Sequence, residues 1–198
     1  MKHYIELTLM DNPEYSLYEL WSTLYTQLHL AFVEQKDTHD KTPYGVSFPQ
    51  YRLDANKSFG CLGSKVRIFA NTTQALEQLN LGKWLERLTD YVHITSARET
   101  PLSKVTGHAI YSRAVPKDSL DKRIAHQAQR RNISLEESAA HFKDHCYTTT
   151  LAEPFISLKS LSGQHLFKLH IKKTVVDEAT LGKFGTYGLS KTVSVPEF

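Results

Sequence analysis

The chain has only two cysteines in 198 residues, Cys61 and Cys146. Two thiols without a pairing pattern exclude a disulfide scaffold, and a reducing cytoplasm is the expected location. Long apolar runs are also missing. Nothing approaches the roughly 20 residues a membrane helix needs, and Met1-Lys2-His3-Tyr4 opens directly into a strand-like pattern without an apolar signal core. A soluble protein with no membrane partner follows. No P-loop, nucleophile elbow or kinase signature occurs. Carboxylates nowhere cluster, and His141, His145 and Cys146 supply three ligands without a fourth at suitable spacing, so no metal and no cofactor is expected. Gly182, Gly185 and Gly188 are spaced like a glycine fingerprint, but no strand-to-helix context follows, and they read as a turn between the last strands. Excess charge of one sign is absent too: 24 Lys and Arg stand against 21 Asp and Glu, a net charge of +3 that does not by itself imply nucleic acid.

What is present belongs to a folded domain. Hydrophobic residues make up 40% and aromatics 11% of the chain, and ten histidines can add positive charge locally near neutral pH. Ile5, Leu7 and Leu9 alternate with polar neighbours as a first strand. Ser16 and Glu19 form a capping box ahead of a helix carrying Leu20, Trp21, Leu24, Leu28, Ala31 and Phe32 at helical spacing, ending near Phe32 or Val33. Strands follow at 45–49 and 66–70, then a helix capped by Thr72 and continuing toward Trp84 and Leu88, then a strand at 91–94. The order β-α-β-β-α-β predicts a ferredoxin-like domain over residues 1–95. The chain turns polar from Thr95 to Thr106, and a second domain is expected over 96–198. It would hold a helix from Pro116 to about Arg131 and another behind the capping box Ser134–Glu137. The fold class is therefore α+β.

Three features carry chemistry. From Leu166, Phe167, Leu169 and Ile171 alternate with Lys168, His170 and Lys172, giving a strand with one cationic face. It is entered by a hydroxyl-rich loop, Ser160-Leu161-Ser162-Gly163. Such a strand suits a phosphodiester and a ribose hydroxyl, and it also suits an ordinary surface strand. On the basic helix, Lys122, Arg123, His126 and Arg130 share one arc, with no acid between Lys122 and Arg131. A solvated helix normally intersperses Glu for i,i+4 pairing, so the phosphate-binding reading is favoured there. His29 sits beside the apolar stripe of the first helix, where a helix-end dipole would favour its protonated form. Alone it reads as a helix-end histidine without a role.

Taken together, His3-Tyr4, Leu28-His29, Gly45-Val46-Ser47-Phe48-Pro49, Leu62-Gly63, Val66-Arg67-Ile68, Trp84-Leu85, Arg130-Arg131, Pro154-Phe155 through Ile171 and Tyr187-Gly188-Leu189-Ser190-Lys191 resemble one family. It is the type I-F, Csy-type CRISPR-associated endoribonuclease, which cuts precursor CRISPR RNA at its repeat hairpin. The resemblance implies His29 as general base, Ser160 as the residue holding the reacting ribose, and Tyr187 as the residue orienting the histidine. It implies Ser162 as a second contact, Phe167 as the aromatic beneath the hairpin, and Lys122, Arg123, Arg130 and Arg131 as groove-helix contacts. The sequence departs from the family pattern in placing His126 and Gln127 where further arginines are typical. Arg113 matches a base-reading arginine, but Val115 stands where its glutamine partner belongs, and Gly163 replaces a threonine. Lys168 adds a phosphate contact from the cationic strand.

The implied partners are the repeat hairpin, as precursor and mature CRISPR RNA, and the other subunits of the effector complex. The implied reaction needs no metal or cofactor: RNA supplies its 2′-hydroxyl, a neutral imidazole deprotonates it, and a serine aligns the ribose. The expected ends are a 5′-hydroxyl and a 2′,3′-cyclic phosphate or 3′-phosphate. A catalytically silent hairpin-binding subunit would share every binding residue, and His29, Ser160 and Tyr187 argue against it.

Overall fold

The structure is a computed structural model that describes residues 1–53, 60–115, 120–142, 151–160 and 163–198. Its elements are β1 (His3–Leu9), α1 (Leu17–Glu34), β2 (Lys41–Thr42), β3 (Gly45–Ser47), β4 (Lys65–Ala70), α2 (Thr73–Gln78), α3 (Leu81–Trp84), β5 (Val92–Ile94) and β6 (Arg98–Glu99). There follow β7 (Gly107–Ala114), α4 (Leu120–Arg131), α5 (Leu135–Ala140), β8 (Phe155–Lys159), β9 (Leu166–Val176), β10 (Phe184–Gly185) and β11 (Val195–Glu197).

The first sheet runs β3-β4-β1-β5, with β6 beside the start of β1 and every pair antiparallel. Leu7 lies opposite both Val66 and Ile94, so the alternating apolar residues of three strands share one face. Helix α1 covers that face. Its Ser16 cap is reciprocal: the Ser16 amide donates to Glu19 Oε2 at 2.9 Å and the Glu19 amide to Ser16 Oγ at 3.4 Å. Leu20, Trp21, Leu24, Tyr25, Leu28, Ala31 and Phe32 are all buried along one stripe.

The single helix expected from Thr72 toward Leu88 is instead broken into α2, α3 and a 3-10 turn at Glu86–Leu88. Asn80 is the cause: its φ of 44° is left-handed, and a right-handed helix cannot pass through it. Leu76, Leu79, Leu81, Leu85 and Leu88 stay buried despite the break.

A second antiparallel sheet runs β11-β7-β9-β8, and β10 pairs with β2 in a small ribbon. Along β9, Leu169 and Ile171 are buried while Lys168 and Lys172 are exposed, as the period of two requires. The chain forms two compact units, one of Met1–Ala114 with Glu153–Phe198 and one of Val115–Ala152. Both sheets lie in the larger unit, where Tyr111 of β7 packs edge-on against Phe48 with ring centroids 5.5 Å apart. The boundary expected near residue 95 falls inside one compact unit, ahead of β6, which still pairs with β1. In the smaller unit α4 and α5 pack together, Ser138 Oγ donating to the Ile124 carbonyl at 2.8 Å, and the Ser134–Glu137 capping box is formed. Among the described residues no helix is long and apolar enough to cross a membrane.

Candidate active site

Thr26, His29, Val33 and Lys36 follow one another at spacings of three, four and three, so they form a single ridge along the flank of α1 and just past its end. Across from this ridge run the end of β8 and the start of β9. The Ser22 hydroxyl donates to the Ser157 carbonyl at 2.6 Å and ties β8 along the helix. The ridge, together with Leu158, Lys159, Ser160, Phe167 and Tyr187, encloses a cleft of about 470 Å³.

His29 Nδ1 lies 2.9 Å from the Thr186 carbonyl oxygen. A carbonyl only accepts, so Nδ1 must carry the proton and Nε2 is left with its lone pair in the neutral ring. The Tyr187 ring stacks on the imidazole with centroids 4.0 Å apart and planes 5° from parallel. Half-burial pushes the imidazole below the ordinary histidine value, the bond to Thr186 opposing this only in part. The helix-end dipole predicted the reverse direction. His29 stands more than a full turn before Glu34, where the dipole has faded, and desolvation decides.

The backbone that positions Thr186 and Tyr187 is held from several sides. Tyr25 Oη, buried in the core, donates to the Tyr187 carbonyl at 2.9 Å. The Val46 amide donates to the Gly188 carbonyl at 3.1 Å, and the Ser190 amide to the Tyr111 carbonyl at 2.8 Å. Gly188 has a φ of 68°, and a β-carbon on it would sit 2.6 Å from Val46 Cγ1. Only glycine fits this left-handed, crowded position. Burial also raises the Tyr187 phenol, against the pull of nearby Arg113, so the tyrosine is neutral.

Ser160 opens a tight turn, its amide donating to the His165 carbonyl at 2.8 Å and its Oγ accepting from the Gly163 amide at 3.1 Å. Ser162 lies outside the described residues. Phe167 leads into β9 opposite Leu158, and the Arg113 guanidinium lies 5.6 Å from its ring centroid. His29, Ser160, Phe167 and Tyr187 thus share the cleft, with Arg113 beside it.

Lys168 does not share it. One residue on from Phe167, it projects from the opposite face of β9, and its Nζ lies 4.4 Å from the Phe155 ring centroid. The two residues lie on opposite faces of the strand, as their alternation in the sequence predicts. The groove-helix residues are in the smaller unit. His126, Arg130 and Arg131 are exposed on α4, and Gln127 is partly so. Lys122 and Arg123 belong to the same helix, their side chains lying outside the described ones. His141 ends α5, while His145 and Cys146 lie outside the described residues.

Sequence reasoning missed the Thr186 carbonyl, Tyr25 and the lysine pair Lys36 and Lys159. The ridge spacing from Thr26 to Lys36 was available to find Lys36. Nothing in a side-chain pattern announces which backbone carbonyl meets a histidine.

The comparisons with known proteins cover the same elements. A CRISPR-associated endonuclease Cas6/Csy4 of Escherichia coli (strain UTI89 / UPEC) is 29% identical over 199 residues, spanning all of both chains. One of Pseudomonas aeruginosa (strain UCBPP-PA14) is 33% identical over 200 residues, again end to end. A solved structure titled CRISPR associated protein Cas6 aligns over 99% of this chain and 98% of its own, at 14% identity and a TM-score of 0.34. The model of the family CRISPR-associated protein (Cas_Csy4) matches residues 4–198, from the first strand through the His29 helix to the turn that stacks Tyr187 on it, and the chain belongs to that family.

Proposed function

We propose that this protein is an endoribonuclease of CRISPR RNA processing, of type I-F, that cuts a repeat hairpin at its base. The observation that carries the reading is the Nδ1 bond from His29 to Thr186 in a ring that desolvation keeps neutral. A histidine so held has an unprotonated Nε2 near neutral pH, which is the state a general base requires. The relatives named as endonucleases add support over the whole length.

In this mechanism Nε2 of His29 takes the proton of the ribose 2′-hydroxyl as the oxygen attacks the adjacent phosphorus. The P–O5′ bond breaks, and the leaving oxygen takes up a proton to give a 5′-hydroxyl. The other end is a 2′,3′-cyclic phosphate. Ser160 holds the ribose so that the 2′-oxygen, phosphorus and 5′-oxygen lie in line, while Tyr187 fixes the imidazole plane by stacking. Phe167 supports the terminal base pair, and Lys159 adds positive charge in the cleft where the phosphate sits, beside Lys36, whose ammonium is paired with Asp40 at 2.7 Å. Because the nucleophile belongs to the RNA and the base to the protein, the reaction proceeds without a metal ion.

Around this site the β3-β4-β1-β5 order, antiparallel throughout, supports reading residues 1–95 as ferredoxin-like. Arg113 reads the stem near its base. Ser162 and Lys168 contact the backbone, and the α4 residues Lys122, Arg123, His126, Gln127, Arg130 and Arg131 follow the groove. The enzyme stays on its product as a cytoplasmic subunit of the effector complex.

The test is single-turnover cleavage of the host's own repeat RNA in EDTA by wild type and His29→Ala. Wild type should cut, and the variant should lose at least about 10²-fold in rate while binding the hairpin as before. Binding without cutting by wild type would leave only the silent RNA-binding subunit.

A further inference from the structure

A second cleft of about 740 Å³ meets the first at Tyr187. Its polar lining is Lys41, Arg113, Lys183, Lys191, Ser190 and Thr192, and among the described residues no carboxylate lines it. In a chain with 24 basic and 21 acidic residues, a lining with four cations and no acid is a segregated field. Lys183 is held by Asp37 at 2.8 Å, whereas Lys41 and Lys191 have no acidic partner among the described residues. The field of the cleft therefore rests on Lys41, Lys191 and Arg113.

Its hydrogen-bonding state is specific too. Ser190 Oγ accepts from the amides of Thr192 at 3.2 Å and Val193 at 3.0 Å. Both bonds use the oxygen's lone pairs, so the hydroxyl proton is left to donate, and among the described residues it has no acceptor. An oriented donor among unpaired ammonium groups fits an anion with several acceptor oxygens. The rest of the lining is apolar: Leu169, Leu189 and Val193 are buried at its base, and Leu181 is 80% exposed at its edge. The neck of the loop that forms it is closed by Thr180 and Ser194, which exchange bonds of 2.8 and 3.1 Å.

Cations and a hydroxyl around an apolar floor match a strand whose phosphates are charged and whose bases are unpaired and flat. A duplex keeps its base faces stacked inside and offers such a concavity only its backbone and base edges. We propose that this cleft binds single-stranded RNA flanking the hairpin, as an extension of the substrate path past Tyr187. This rests on the function proposed above, because it takes the His29 cleft as the place where the base of the hairpin ends. The flank on either side of the cut offers the same chemistry, phosphodiesters with unstacked bases.

The full-length protein is titrated with three repeat hairpins made uncleavable by a 2′-deoxy nucleotide at the base of the stem, where the cut would fall. One has no flank, one a 5′ flank of roughly six nucleotides, and one a 3′ flank of the same length, within the usual span of a single-strand site. Wild type should bind one flanked hairpin more tightly than the blunt one, and that arm names the strand. In Lys41→Gln/Lys191→Gln the advantage should fall to within about twofold. The salt slope for that RNA should drop by about 1.4, at roughly 0.7 for each single-strand phosphate that a lysine no longer neutralises. Equal affinity of wild type for all three RNAs overturns the inference while leaving the proposed function standing. So does a flank advantage that survives both substitutions. Failure to bind even the blunt hairpin would refute the proposed function, and this inference with it.

Discussion

Alanine at position 188 would place a methyl group 2.6 Å from Val46 Cγ1 and 3.1 Å from Phe32 Cε2, with the backbone held at φ 68°. A side chain in the left-handed region costs about 1–2 kcal/mol, and forcing a methyl into a packed site costs roughly 1–3 kcal/mol more. The sum, about 2–4 kcal/mol after partial relaxation, corresponds to roughly 4–16 °C in Tm for a domain of this size. The site should suffer beyond this. Relief of the clash must move the turn, and the turn carries the Thr186 carbonyl that fixes His29 and the Tyr187 ring stacked on it. Cleavage should therefore fall more than hairpin affinity. Gly82→Ala is the control: it lies in α3 with nothing within 4 Å of the added carbon, and alanine there should stabilise by up to about 1 kcal/mol. Thermal unfolding of both variants, with single-turnover rates, decides the matter. A Gly188→Ala protein that melts within about 2 °C of wild type and cuts normally would refute the reasoning.

The pH profile of cleavage should have its acid limb below the ordinary histidine value of about 6.5. Burial lowers the His29 pKa, the neutral form is the active base, and the rate is lost as pH falls through that lowered value. Tyr187→Ala, by uncovering the ring, should move the limb upward, and a limb that stays in place would separate the stacking from the pKa. A substrate with a 2′-deoxy nucleotide before the scissile phosphate should bind normally and resist cutting; its cleavage would mean that water or a side chain attacks instead. Arg130→Gln/Arg131→Gln removes two exposed cations of α4. Hairpin binding should weaken and its salt slope should fall by about 1.4–1.8, whereas an unchanged slope would make α4 a solvated face.

The parts of this molecule that were legible in the sequence are those that local periodicity encodes. The capping boxes at Ser16 and Ser134, the stripe from Leu20 to Phe32 and the alternation of Phe167, Leu169 and Ile171 each follow from one element's own geometry. The break in the helix after Thr72 was not legible by that route. Apolar spacing runs through Asn80, and only its left-handed φ stops the helix.

The candidate site was only half visible because its decisive contact is made by the main chain. Side-chain identity named His29 and Tyr187, 158 positions apart, through the family resemblance. It could not fix which imidazole nitrogen carries the proton. That is settled by the Thr186 carbonyl, placed by a turn that needs Gly188 for its φ and Tyr25 Oη for its anchor. The same turn continues into Ser190, whose amide is bound by Tyr111 and whose hydroxyl is aligned by the two amides after it. A short glycine-containing segment therefore sets the tautomer of the base on one side and orients a donor in the second cleft on the other. Displacing it should alter both together, whereas His29→Ala should leave any flank advantage intact. A His29→Ala protein that loses its preference for a flanked hairpin would break that division of labour.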